Sequence, residues 1–211
     1  MKLLQNVLDK IPNDLFSDSE LIALFPGSGK EASRYNQVKR ALAKGDIVRL
    51  RRGLYHLAKR YQRQPVNPFI LAQRILGPSY VSFESALSYH QLIPEAVYSI
   101  TSACLKRSQE YKTPLGCFTY TPIPSSVFFE SVERITQDGF SFFMATPLKA
   151  LADYVYAKRL DWEGMDPLVS SLRIEPEALL FSGQEIEELM VAYPSKRVFR
   201  FLSQLKKDIS L

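Results

Sequence analysis

Ile47-Val48-Arg49-Leu50-Arg51-Arg52-Gly53-Leu54-Tyr55-His56-Leu57 reads as two short strands joined by a turn rich in arginine and closed by a glycine. Gly53 permits the turn, and Arg49 alternates with Val48 and Leu50, which are expected to be buried. Arg51 and Arg52 are expected to point into solvent, beside His56 as a phosphate neighbour.

Three helices are expected upstream of this hairpin. Leu3, Leu4, Val7, Leu8 and Ile11 form one apolar stripe that ends before Pro12. Ser17-Asp18-Ser19-Glu20 is a capping box opening a second helix with Leu21, Leu24 and Phe25, stopped by Pro26-Gly27. Ser28-Gly29-Lys30-Glu31 is another capping box, and Gly45 is a C-terminal stop, so a third helix spans about Lys30 to Lys44. Its core stripe is Tyr35, Val38 and Leu42; Lys30, Ser33, Gln37, Arg40 and Lys44 fall on the opposite face, flanked by Arg34 and Asn36. Helix, helix, helix and basic hairpin in that order is the pattern of a winged helix-turn-helix.

Charge follows the same division. The chain has 211 residues and a net charge of +5, yet residues 1–64 hold 13 Lys and Arg against 6 Asp and Glu, and the rest holds 14 against 16. The positive excess belongs to the first third, which points to a nucleic-acid-facing module joined to one with another task. Arg and Lys suit guanine edges and phosphates, and Asn36 and Gln37 have the amide geometry for an adenine edge. The DNA-contact set is therefore Lys30, Ser33, Arg34, Asn36, Gln37, Arg40, Lys44, Arg49, Arg51 and Arg52. The competing reading is a winged helix used for protein contact.

Residues 58–67 are polar, basic and followed by Pro68, so the expected division is a domain over 1–60, a linker over 61–67 and a second domain over 68–211. The second domain opens with a helix from Pro68 to Leu76 and another capped by Ser82. Between Val97 and Phe143 the period shifts towards two, giving strands over 99–105, 117–121, 132–136 and 140–143, the last two a hairpin about Gln137-Asp138-Gly139. Thr146-Pro147 starts a helix with Leu148, Leu151, Ala152 and Val155 inward. Ser182-Gly183-Gln184-Glu185 caps the next, and the last carries Val198, Phe199, Phe201, Leu202, Leu205 and Ile209 as its apolar face. The expected fold is α+β: an N-terminal winged helix-turn-helix, then a larger mixed domain with C-terminal helices.

Catalytic patterns are absent from the residues. Gly27-Ser28-Gly29-Lys30 lacks the earlier glycine of a phosphate loop, where Leu24 stands, and Glu31 replaces its hydroxyl. His56 and His90 are too few and too far apart for a metal site, and Asp153, Asp161, Glu163 and Asp166 show no close paired-carboxylate spacing. Cys104 and Cys117 read as reduced thiols on strands, and the aromatic run from Phe118 to Phe143 as core. No segment has the length of a membrane span, and Met1-Lys2-Leu3-Leu4 is followed too soon by polar residues for a signal peptide. A cytoplasmic, non-enzymatic protein without cofactor or metal is expected.

Three segments, in order, resemble the AbiEi family of antitoxins and transcriptional regulators of phage-defence systems. They are Ala41 to Tyr55, like that family's winged-helix signature; Tyr80 to Glu95, like the stretch opening its second domain; and Ala145 to Tyr154, like its Thr-Pro-x-Lys-Ala-Leu helix. The resemblance spans about Ser17 to Val155. It implies a repressor of its own promoter, bound to double-stranded operator DNA; since repressors commonly occupy inverted repeats in pairs, a monomer or weak dimer paired on DNA is expected. It also implies the antitoxin of a type IV system, opposing a nucleotidyltransferase-like toxin with which it need not form a stable complex. Two alternatives stay open: a stand-alone winged-helix regulator, and a nucleotidyltransferase-like enzyme.

Overall fold

Ser17 closes a short strand and opens a helix at once: its hydroxyl accepts the Glu20 N–H at 3.3 Å while the Glu20 carboxylate accepts the Ser17 N–H at 2.6 Å. In the computed structural model, which describes residues 2–24, 31–94, 97–137 and 139–209, this junction belongs to the first of two compact units. One unit is Met1–Asn67 with Tyr111–Leu115; the other is Pro68–Glu110 with Gly116–Leu211. The protein is mixed α+β, with two separate sheets. The described residues contain no helix long and apolar enough to cross a membrane.

The first unit runs α1 (Lys2–Lys10), β1 (Leu15–Ser17), α2 (Asp18–Leu24), α3 (Glu31–Ala43), β2 (Ile47–Arg51) and β3 (Leu54–Leu57). Its sheet has the order β1-β3-β2, antiparallel throughout, with Phe16 opposite Tyr55 and Val48 opposite His56. Strand β1 has no counterpart among the strands expected from sequence. The core joins Leu3, Val7 and Ile11 of the first helix region to Phe16, Leu21, Val38, Ala41, Ile47 and Leu57. Pro26-Gly27 and the capping box at Ser28-Gly29-Lys30 lie outside the described residues, as does Phe25.

Residues 58–64 are fastened to this unit. Arg63 donates through Nε and its backbone N–H to the two Asp14 carboxylate oxygens, each at 2.8 Å. Arg60 donates to Asp46 at 2.6 Å and to the Lys44 carbonyl at 3.1 Å. Burial pushes the Asp14 pKa up, but the Arg63 side-chain bond, with the Arg63 and Gln64 backbone donors, outweighs it and holds the carboxyl below its usual value.

From Pro68 on the chain forms α4 (Pro68–Ile75), β4 (Ser79–Val81), α5 (Phe83–Tyr89), β5 (Ser99–Cys104), β6 (Gln109–Thr113), β7 (Gly116–Pro122), β8 (Val132–Gln137) and β9 (Phe140–Ala145), with Tyr111–Thr113 of β6 grouped with the first unit. Helices α6 (Pro147–Lys158), α7 (Asp166–Leu172), α8 (Gly183–Ala192) and α9 (Lys196–Ile209) follow. The six-stranded sheet has the order β6-β7-β5-β4-β9-β8. Strand β5 runs parallel to β7, and β4 parallel to β9 with Val81 beside Met144. Strands β4 and β6 and helix α7 were not expected from sequence.

Successive residues of a strand point to opposite faces, and the sheet is packed on both. On one side Tyr120 donates to the Ala72 carbonyl of α4 at 2.6 Å, and Phe69 meets Phe142 at 5.2 Å between ring centres. On the other, Tyr80 reaches α6. Thr146 caps α6 by accepting the Lys149 N–H at 3.4 Å, with Pro147 at the first helical position. The capping box of α8 closes through Ser182 and Glu185.

Three side chains correct the expected burial here. Phe129 and Phe143 are exposed, so the aromatic run is not wholly core, and Phe199 is half exposed beside the α9 stripe of Val198, Phe201, Leu202 and Leu205. Ser82 precedes α5 but makes no side-chain cap; its hydroxyl is used elsewhere. Cys104 is buried and Cys117 half-buried, both as free thiols.

Candidate nucleic-acid interface

Helix α3 buries Val38 and Ala41 and half-buries Leu42. Tyr35, expected in the core, is 68% exposed. The buried edge is thus rotated towards Ala41, whose small side chain lets α3 sit close to its neighbours. Ser33, Asn36, Lys39, Arg40 and Lys44 are exposed. From Ala32 to Lys44 the sequence holds four cations and no carboxylate.

Two grooves flank this face. One, about 590 Å³, runs beside α1 and is lined by Ser33, Asn36, Gln37, Arg40 and Lys44. The other, about 510 Å³, lies between α3 and the hairpin, and gathers Arg34, Tyr35, Lys39, Arg49 and Arg52 around Asp18 and Tyr55. Nine of the ten sequence-selected residues are described; eight fall in one groove or the other, and Arg51 in neither. Lys30 lies outside the described residues. Lys39 and Tyr35 were missed because assigning Tyr35 to the core turned the outward face away from both.

The hairpin differs from its expected form. A bulge between Arg49 and Arg51 breaks the alternation, so Ile47 and Leu50 are the buried residues of β2 and Val48 is only half-buried. Arg52 is exposed, but Arg51 is half-buried: Nη1 donates to the Arg52 carbonyl at 2.9 Å and Nε is shut away without a partner. Gly53, at φ +74, accepts the Asp18 N–H at 3.0 Å. Tyr55 is bonded to the Asp18 carboxylate; burial first, then that negative charge, raises its hydroxyl pKa. His56 is not a surface group: it is buried with Nδ1 2.8 Å from the Leu57 carbonyl.

Two sets of cations stand apart in the first unit. Arg60 and Arg63 are bound to Asp46 and Asp14. Arg34, Lys39, Arg40, Lys44, Arg49 and Arg52 make no ion pair among the described residues. Leaving six like charges unpaired on one surface stabilises nothing in the fold, and favours an anionic partner.

The second unit has a polar centre of another kind. Asp153 and Lys149 are both 0% exposed and paired at 2.6 Å. Tyr80 and Ser82 donate to Oδ2 of Asp153 at 2.9 and 2.7 Å, and Tyr193 donates to Oδ1. Burial lowers the Lys149 pKa against the pull of Asp153, and raises those of Tyr80 and Tyr193. His90, at the end of α5, lies 3.0 Å from the Ala145 carbonyl through Nε2. Among the described residues no group of three or more His, Cys, Asp or Glu could hold a metal ion. No family model matches the chain, and no curated protein matches it.

Proposed function

We propose that the first unit is a winged helix-turn-helix that lays α3 in the major groove of duplex DNA, with the β2–β3 hairpin as its wing, and that the chain is a transcriptional repressor. The observation that carries this reading is the unpaired cationic surface formed jointly by α3 and the hairpin. Support comes from topology: the order α1-β1-α2-α3-β2-β3 with a β1-β3-β2 sheet puts the hairpin beside the exposed helix. With its resemblance to AbiEi antitoxins, the chain is read as an autorepressor whose second unit serves as antitoxin against a nucleotidyltransferase-like toxin.

Binding of the full chain to labelled duplex DNA tests the first part. If about six cations meet phosphates, affinity falls roughly a thousandfold between 50 and 200 mM salt. No binding at low salt, or binding indifferent to Arg40→Ala combined with Arg52→Ala, overturns the reading. Growth rescue by co-expression with an adjacent toxin gene tests the second part. The enzymatic alternative gains nothing from Asp153, since that carboxylate is fully buried and enclosed by Lys149, Tyr80, Ser82 and Tyr193.

A further inference from the structure

Within the surface read above as a DNA interface, the two elements are not equivalent. At 3.6 residues per turn, Ala32, Asn36 and Ala43 lie within about 40° of one line down α3, opposite buried Val38 and Ala41. Asn36 is exposed, and its amide makes no hydrogen bond among the described residues. The alanines on either side leave the helix backbone free to approach a groove floor. Gln37 is different: one end of its amide is buried without a partner, so it cannot present both atoms to a base edge.

The hairpin is ill-suited to reading bases. Its turn is two residues, Arg52 and Gly53, and is tied to Asp18. Arg51 is folded back onto the Arg52 carbonyl. What remains outward is Arg49 and Arg52, point charges at the edge of a groove rather than a projecting finger.

We infer that Asn36 is the specificity-determining residue of this interface, taking the donor and acceptor edge of an adenine, and that Arg49 and Arg52 bind phosphate without regard to sequence. This rests on the nucleic-acid reading above. An amide set squarely on an adenine edge discriminates by about 5- to 150-fold. A lost phosphate contact lowers affinity for every duplex alike and flattens the salt dependence by about one charge.

The test is selection from a random duplex library by the full chain and by its Asn36→Ala and Arg49→Ala/Arg52→Ala variants. All three substituted side chains are exposed, so thermal melts serve as a check that folding is unchanged. The expected result is a motif with an A·T pair whose preference vanishes with Asn36→Ala. The arginine variant should return the same motif, weakened equally on motif and scrambled duplexes. A motif unaltered by Asn36→Ala, a motif altered by the arginine variant, or duplex binding by the unsubstituted chain without any motif overturns the inference. Failure of that chain to bind any duplex at low salt overturns the nucleic-acid reading as well.

Discussion

Asp18 donates its backbone N–H to the Gly53 carbonyl at 3.0 Å, tying the tip of the hairpin to the first turn of α2. A Cβ at Gly53 would stand 3.0 Å from Asp18 Oδ2, and the residue's φ of +74 is strained for any L side chain. Gly53→Ala is expected to destabilise the first unit by about 1–3 kcal/mol. Urea unfolding followed by near-UV signal measures it; a change within 0.5 kcal/mol, to take a rough threshold for a neutral surface substitution, contradicts it.

Lys149→Met leaves Asp153 charged, buried and without its cation, at a cost of about 3–5 kcal/mol. Asp153→Asn strands Lys149 with a similar loss. The double variant is expected to recover part of the stability, because no uncompensated charge remains: Tyr80 and Ser82 can donate to the Asn carbonyl oxygen while the Tyr193 hydroxyl turns to accept from the amide NH2. Denaturant midpoints of the four proteins give the answer, and a double variant weaker than both singles would refute the charge-pair explanation.

Arg63→Ala removes the clasp on Asp14 and is expected to cost about 1–2 kcal/mol at neutral pH. The Asp14 carboxyl is held below its ordinary 3.8 in the fold, so this stabilisation is complete above that value and is lost as pH falls through the lower, folded one. Unfolding of wild type and variant at about pH 7 and about pH 2.5 should show a gap that closes in acid. A gap of constant size rules the linkage out.

Tyr35→Ser is expected to leave stability within about 0.5 kcal/mol, since the ring is in water. If α3 faces DNA, the same substitution weakens duplex binding. Thermal melts and binding isotherms on one preparation separate the two; a large loss of stability would return Tyr35 to the core.

Legibility in the sequence followed the range of the forces involved. The capping boxes at Ser17 and Ser182 and the hairpin at Gly53 rest on residues within four positions of each other, and each can be read locally. Leu15-Phe16-Ser17 is too short to show a period, and β6 is too polar. Missing β1 had a consequence: with a neighbour on each side, β3 is buried at all four residues, so His56 could not be the surface group expected of an edge strand. The site was legible as residue types but not as orientation. Tyr35 and Val38 are both apolar at helical spacing, and only the neighbours of α3 decide that Ala41 is inside and Tyr35 out. The Asp153 centre joins residues from β4 to the turn before α9, a distance no local pattern spans.

The parallel pairing of Val81 with Met144 sets a timetable for biosynthesis. A ribosome delivers the amino end first, and the small sheet with both its clasps, Asp14–Arg63 and Asp46–Arg60, needs nothing after residue 64. The large sheet has β4 in its interior and must wait for β9, and the hydroxyls around Asp153 are not complete until Tyr193 has emerged. A translating polysome therefore carries nascent chains whose amino-terminal sheet is finished while the strands behind it still lack their neighbours, and those late strands are where a chaperone would be needed.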